Sequence, residues 1–211
     1  GPFYKTSINN FKNITIKKAL NHPNWKMGKK ISIDSATLMN KIFEVIEAKN
    51  IFKIPYSKIE ILIHPKSYVH AMIKFNDGLI KIIAHETTMK IPIFNTLDFD
   101  YKNKIKTKRL NIGNLNNLNL EKVNPKRYPI INLLKLIPNN HSLFETVIVS
   151  TNDILVDLFL KKKIKFNQIN TNFFKQINKI EFLKYKKKIP KNVKEIVDLN
   201  NYVRLKILEK V

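Results

Sequence analysis

The chain has 211 residues, 44% hydrophobic and 10% aromatic, which fits a folded protein with a real core and excludes a disordered tail. No run approaches the roughly 18 apolar residues of a membrane-spanning helix, no signal peptide is visible, and the absence of cysteine excludes disulfides and thiolate chemistry. The formal net charge of +23 invites nucleic acid or an anionic surface as partner, but Lys, Asn and Ile are used heavily throughout. The runs Lys161-Lys162-Lys163 and Lys186-Lys187-Lys188 also lack the interleaved aromatics of a single-strand binder, so they read as solvated faces. What survives of the charge is attraction for an anionic substrate.

A short helix is predicted at about 14–20, ending ahead of Pro23 because the residue before a proline is pushed out of the α region. The polar loop 21–28 follows. One helix is expected over 34–53, with Asp34 and Ser35 as N-cap oxygens, Leu38, Met39, Ile42, Val45 and Ile46 as apolar face, and Pro55 as the stop. Residues 58–99 read as β, with strands at 59–63, 69–75 and 79–84. Asn76-Asp77-Gly78 joins the last two as a hairpin, since these residues tolerate positive φ. Residues 100–128 read as a long linker that Leu110, Ile112, Leu115, Leu118 and Leu120 could pin to the surface. Helices at about 129–137, 143–162, 170–178 and 192–210 would form a small C-terminal bundle.

The expected fold class is α+β (α/β). A partly antiparallel sheet, covered by helices on one face and completed by strands from upstream, is followed by a linker and the bundle. The expected regions are 1–99, 100–128 and 129–211.

On the helix starting near Asp34, the residues Thr37, Asn40, Lys41, Glu44 and Ala48 share one face. A helix N-terminus suits phosphate, Ser35 adds a hydroxyl, Lys41 a full charge, and Glu44 an oxygen ligand for a hard divalent cation. Spacing alone favours a plainer interpretation, an amphipathic helix with a Lys41–Glu44 surface pair. His22 and Trp25 lie in the preceding basic, Gly-terminated loop. The tryptophan there is either a lid over a ligand or a core residue beside the loop.

Joined, the two segments HPNWKMGKKISIDSATLMNKIFEVIEAKNIF resemble the central signature of the 1-deoxy-D-xylulose 5-phosphate reductoisomerase family. The likeness continues through His64-Pro65-Lys66-Ser67, through Glu86-Thr87-Thr88-Met89-Lys90-Ile91-Pro92-Ile93, through Lys126-Arg127-Tyr128-Pro129 and over 147–159. A glycine pair precedes Pro-Phe in that family, so Gly1-Pro2-Phe3 looks native rather than a cloning scar.

The resemblance implies an NADPH-dependent rearrangement and reduction of 1-deoxy-D-xylulose 5-phosphate to 2-C-methyl-D-erythritol 4-phosphate. It implies that His22, Ser35, Asn40 and Lys41 contact the phosphorylated substrate, and that Glu44 is one carboxylate ligand of Mg²⁺ or Mn²⁺. By the same likeness Trp25 is the lid, and Gly28, Met89 and Met27 approach the nicotinamide. His64 is either a polar group near the site or a satisfied strand-end histidine.

A homodimer and an upstream NADPH-binding domain are implied as partners, with an apicoplast-type plastid, favoured over bacterial cytoplasm, as location. The Gly-rich dinucleotide fingerprint and a second and third metal carboxylate are missing from these residues, so the chain alone is expected to be inactive. Neither nucleic acid nor membrane is expected as a partner; the alternative is a basic nucleic-acid-binding or interaction module.

Overall fold

The computed structural model describes all residues except Asn24, Lys26, Phe99, Tyr101, Leu110, Asn117, Lys210 and Val211. Parts of the expected loop 21–28, the Leu110 anchor and the last residue of the expected final helix therefore lie outside the described residues. The chain forms two compact units: Gly1–Pro23, Met27–Glu60 and Asn124–Val211 make the first, and Asn24–Lys26 with Ile61–Val123 the second. This differs from the expected regions 1–99, 100–128 and 129–211, because the N-terminal segments share a core with the C-terminal helices.

In the first unit, α1 (Ile16–Leu20), α2 (Lys29–Thr37) and α3 (Met39–Phe52) precede α6 (Phe144–Leu160), α7 (Phe166–Ile177), α8 (Ile180–Leu183) and α9 (Val193–Leu208). The expected helix near 129–137 is a 3-10 turn, Pro129–Lys135. Helix α6 is the centre: Phe144, Val147, Ile148, Ile154, Leu155, Val156, Leu158 and Phe159 are all buried, because α2, α7 and α9 surround it. Helix α7 presents Phe166, Ile169, Phe173 and Ile177, and α9 presents Leu199, Val203 and Ile207. These are single stripes at helical spacing.

The N-terminus is tied into this core. Phe3 meets Phe166 edge-on at 5.1 Å, and Arg127 Nη1 donates to the carbonyls of Phe3 at 2.9 Å and Thr6 at 2.5 Å. A Cβ on Gly1 would stand 2.6 Å from the Ser35 carbonyl oxygen, so only glycine allows this approach without displacing α2.

The second unit holds β1 (Leu62–Ile63), β2 (Val69–Lys74), β3 (Ile80–Ala84), α4 (Lys90–Leu97), α5 (Ile112–Leu115) and β4 (Glu121–Lys122). β2 and β3 form the expected antiparallel hairpin. Gly78 takes φ 90°, the Leu79 N–H donates to Asp77 Oδ1 at 2.9 Å, and Phe75 and Leu79 close the loop. The strand expected at 59–63 shortens to β1, which pairs antiparallel with β4.

Residues 100–128 are thus not a bare linker. They supply a helix and a strand, and Lys66 Nζ donates to the carbonyls of Gly113 and Asn116. The sheet is antiparallel as expected, but Met72, Ile73, Ile80, Ile82 and Ile83 are exposed, so the expected helical cover is not present over these side chains. Among the described residues no helix is long and apolar enough to cross a membrane.

Candidate active site

The single helix expected over 34–53 is two helices. α2 begins after Gly28, and Leu38, at φ 71°, ends it and starts α3. A left-handed leucine costs roughly 1–2 kcal/mol, and its neighbours hold it there. Thr37 Oγ1 lies 3.1 Å from the Ile33 carbonyl and 3.2 Å from that of Asp34, to which it donates, and it accepts the Met39 N–H at 3.4 Å. One hydroxyl therefore closes α2 and caps α3. Asp34 and Ser35 are not N-cap residues: both lie inside α2, because Gly28 and the two lysines after it already start the helix.

Three of the expected site residues, Asn40, Lys41 and Glu44, meet at this corner. Lys41 Nζ donates to both oxygens of Glu44, at 2.8 and 2.6 Å, and Asn40 Nδ2 donates to Glu44 Oε1 at 3.3 Å. A carboxylate only accepts, so the Asn40 amide is oriented by Glu44, which leaves Asn40 Oδ1 buried without a hydrogen-bond partner. Such an oxygen is suited to a donor on a ligand. Lys41 and Glu44 are half exposed, at 42% and 52%, so their ion pair contributes little to stability and can be redirected cheaply.

Burial pushes the His22 imidazole down to about 4. Gly1 lies near both Lys41 and His22, and His22 is a neutral imidazole at pH 7. Gly1 sits on the Ser35 carbonyl, which brings Ser35 into the same group. The α3 N-terminus adds partial positive charge to that of Lys41.

Beneath the corner runs a buried network that the sequence pattern did not reveal. Asp34 is fully buried; Asn152 Nδ2 donates to its Oδ1 at 2.7 Å, and Lys30 Nζ sits 2.9 Å from its Oδ2 and 3.0 Å from Asp153. Burial pushes the Asp34 carboxyl up against the lowering pull of Asn152 and Lys30, with Asp153 adding to the rise. Burial pulls Lys30 down, but the two carboxylates outweigh it and raise its pKa. The available signal was the polar run Ser150-Thr151-Asn152 inside an otherwise apolar helix.

The residues expected near a nicotinamide are placed as follows. Gly28 is the N-cap of α2 at φ −61°, and among the described residues a Cβ there would meet nothing within 4 Å, so none of them demands glycine. Met27 is partly exposed in the same unit. Met89 is exposed at the N-cap of α4 in the second unit. Trp25 also belongs to the second unit, where its indole meets the His70 ring. His64 Nδ1 contacts the Leu118 carbonyl oxygen, which ties β1 to the segment ahead of β4.

Among the described residues, no group of three or more His, Cys, Asp or Glu side chains is placed to hold a metal ion. Glu44 alone, with a lysine on both its oxygens, does not enclose a divalent cation.

The helix junction at Leu38 thus carries a lysine–carboxylate pair and an unsatisfied amide oxygen. Residues 1–52 match the 1-deoxy-D-xylulose 5-phosphate reductoisomerase C-terminal domain, and residues 85–206 match the DXP reductoisomerase C-terminal domain. The chain belongs to the DXP reductoisomerase family, as one of its C-terminal portions.

It is 56% identical over 207 residues to the 1-deoxy-D-xylulose 5-phosphate reductoisomerase of Pelagibacter ubique (strain HTCC1062), covering 98% of this chain and 53% of that protein. The enzyme of the same name from Persephonella marina is 41% identical, over 87% of this chain and 49% of its own length. The structure of the Zymomonas mobilis enzyme in complex with NADPH superposes with a TM-score of 0.83 at 31% identity, over all of this chain and 54% of that one. A DOX-P reductoisomerase in complex with NADPH, fosmidomycin and magnesium gives 0.87 at 28% identity, with the same coverage. The chain spans about half the length of the relatives it matches.

Proposed function

We propose that this chain is the substrate-closing and C-terminal part of an NADPH-dependent reductoisomerase. The reaction is conversion of 1-deoxy-D-xylulose 5-phosphate to 2-C-methyl-D-erythritol 4-phosphate, in non-mevalonate isoprenoid biosynthesis. The observation that carries this is the corner between α2 and α3, where Lys41 and Asn40 both donate to Glu44 and the Asn40 amide oxygen is buried without a partner. The names of the relatives, and the NADPH and magnesium of two superposed enzymes, support it.

Lys41 neutralises the anionic substrate. Ser35 and neutral His22 bind its oxygens, and Asn40 Oδ1 accepts from a substrate hydroxyl. The phosphate, remote from the reacting carbons, holds the substrate in reactive geometry. Glu44 is this chain's one ligand to Mg²⁺ or Mn²⁺, in a site completed by carboxylates from an upstream domain. When bound, the ion stabilises negative charge on substrate oxygens as a Lewis acid. Gly28, Met27 and Met89 face the nicotinamide end of NADPH, and Trp25 closes over the substrate to exclude water.

The upstream NADPH-binding domain and a second copy of the chain are the partners. The exposed apolar hairpin around Met72, Ile73, Ile82 and Ile83 is the surface offered for dimerisation. Relatives from Pelagibacter and Persephonella support a bacterial cytoplasmic location over the plastid alternative. They also leave the nucleic-acid-binding alternative without support.

The test is reconstitution. The 211-residue chain alone should oxidise no NADPH with 1-deoxy-D-xylulose 5-phosphate and Mg²⁺; joined to the NADPH-binding half of a relative, it should do so. No turnover by the joined protein, with its fold intact by circular dichroism, overturns the proposal.

A further inference from the structure

Lys30 has no part in the chemistry proposed above, yet its ammonium touches three helices. It stands in the first turn of α2. Its Nζ lies 2.9 Å from Asp34 Oδ2 on the same helix, 3.0 Å from Asp153 Oδ1 on α6, and 5.1 Å from the centre of the Phe43 ring on α3.

The partners make this position a demanding one. Asp34 is fully buried, and Asp34 Oδ2 and Asp153 Oδ1 have no hydrogen-bond partner among the described residues. The ammonium therefore sits between two carboxylates that belong to different helices and bear on each other electrostatically. Without it, two like charges would face each other across the α2–α6 contact, one of them out of water, and would repel. The face of the Phe43 ring adds its own attraction for the cation.

Two of these contacts fall one residue ahead of proposed site groups. Asp34 precedes Ser35 on α2, and Phe43 precedes Glu44 on α3. The two helices meet at the left-handed Leu38, so the angle between them turns on a single residue. A cation that touches both helices, and α6 as well, fixes that angle away from the turn itself.

We propose that Lys30 is a positioning residue, whose ammonium clamps α2, α3 and α6 together and so sets where Ser35 stands relative to Glu44. Its bearing on catalysis rests on the reading of Ser35 and Glu44 as ligand groups given above; the clamp itself rests on the contacts of the ammonium. A misplacement of about 1 Å in such a group can cost about 100-fold in rate, so Lys30 matters to turnover without touching a reacting atom.

The test compares the complete enzyme carrying this chain as wild type, Lys30→Arg, Asp153→Asn and the double variant Lys30→Met/Asp153→Asn. Lys30 is half exposed, so these changes open no cavity in the core. Arginine presents separate nitrogens to the two carboxylates and should keep the clamp. Asp153→Asn leaves the ammonium on Asp34 and Phe43 and should keep the junction. The double variant removes the cation together with one carboxylate, so no repelling pair remains, and Asn152 still holds Asp34.

Crystal structures of the double variant should show the Ser35–Glu44 separation changed by about 1 Å, with kcat down about tenfold or more. Lys30→Arg and Asp153→Asn should keep the wild-type separation and a kcat within about threefold of it. An unchanged separation in the double variant, even with a lower urea midpoint, makes Lys30 merely stabilising and overturns the proposal. So does a changed separation with a wild-type kcat, or an Lys30→Arg protein as slow as the double variant. Should wild type itself fail to turn over 1-deoxy-D-xylulose 5-phosphate, the reductoisomerase reading fails, and the measured separation still decides the clamp.

Discussion

Asn152 Nδ2 donates to Asp34 Oδ1 at 2.7 Å, and both side chains are buried. That bond joins the middle of α6 to the last turns of α2, one residue from Ser35. A buried carboxylate deprived of a donor loses about 1–3 kcal/mol. Asn152→Ala should therefore destabilise the fold by about 2 kcal/mol, read as a lower urea midpoint. It also removes one of the groups that hold the Asp34 carboxyl down, so the carboxyl should rise further. An unchanged midpoint would show that Lys30 alone satisfies Asp34.

The corner itself depends on the Thr37 hydroxyl, which bonds to both helices. Thr37→Val keeps the shape and removes the oxygen. A loss of about 1–2 kcal/mol is expected, the cost of a helix cap. Crystallography of the variant should show Leu38 leaving its left-handed conformation or Met39 N–H unpaired. Full stability with Leu38 undisturbed would mean that packing alone fixes the turn.

His22 sets a pH dependence with a definite sign. Its pKa falls from 6.5 in the unfolded chain to about 4 in the fold. Between those values the unfolded state binds the proton and the native state does not, so stability rises with pH. The contribution is complete above the unfolded value and is lost as pH falls through the folded one. His22 is partly solvated, so screening reduces it to on the order of 1 kcal/mol. His22→Gln should flatten the stability profile across that window. A native His22 titrating near 6.5 contradicts this.

How much of this could be read in advance follows from which forces act locally. The hairpin was legible because Asn76-Asp77-Gly78 encodes its own turn, and Gly78 does take positive φ. The α6, α7 and α9 helices were legible from apolar spacing. The break at Leu38 was not, because nothing in the propensity of leucine asks for φ 71°; a threonine hydroxyl and burial impose it. Asp34 looked like a cap because its partner, Asn152, lies 118 residues away. The merging of residues 1–60 with the bundle was equally invisible, since Arg127 reaches the Phe3 carbonyl only once both segments are folded. Lys41 and Glu44 were read correctly as one face, but their spacing could not distinguish a surface pair from a site. The structure shows the surface pair, and the buried oxygen of Asn40 beside it is the observation that supports the proposed site.

The most direct measurement is kcat for NADPH oxidation by the complete enzyme carrying Glu44→Gln, with 1-deoxy-D-xylulose 5-phosphate and saturating Mg²⁺. The change removes one charge and no volume, so circular dichroism should be unchanged. A fall of about 100-fold or more in kcat is expected, the scale for losing a group that holds a catalytic cation. A kcat within about twofold of wild type contradicts the site, since on that scale a lost carboxylate ligand cannot go unnoticed.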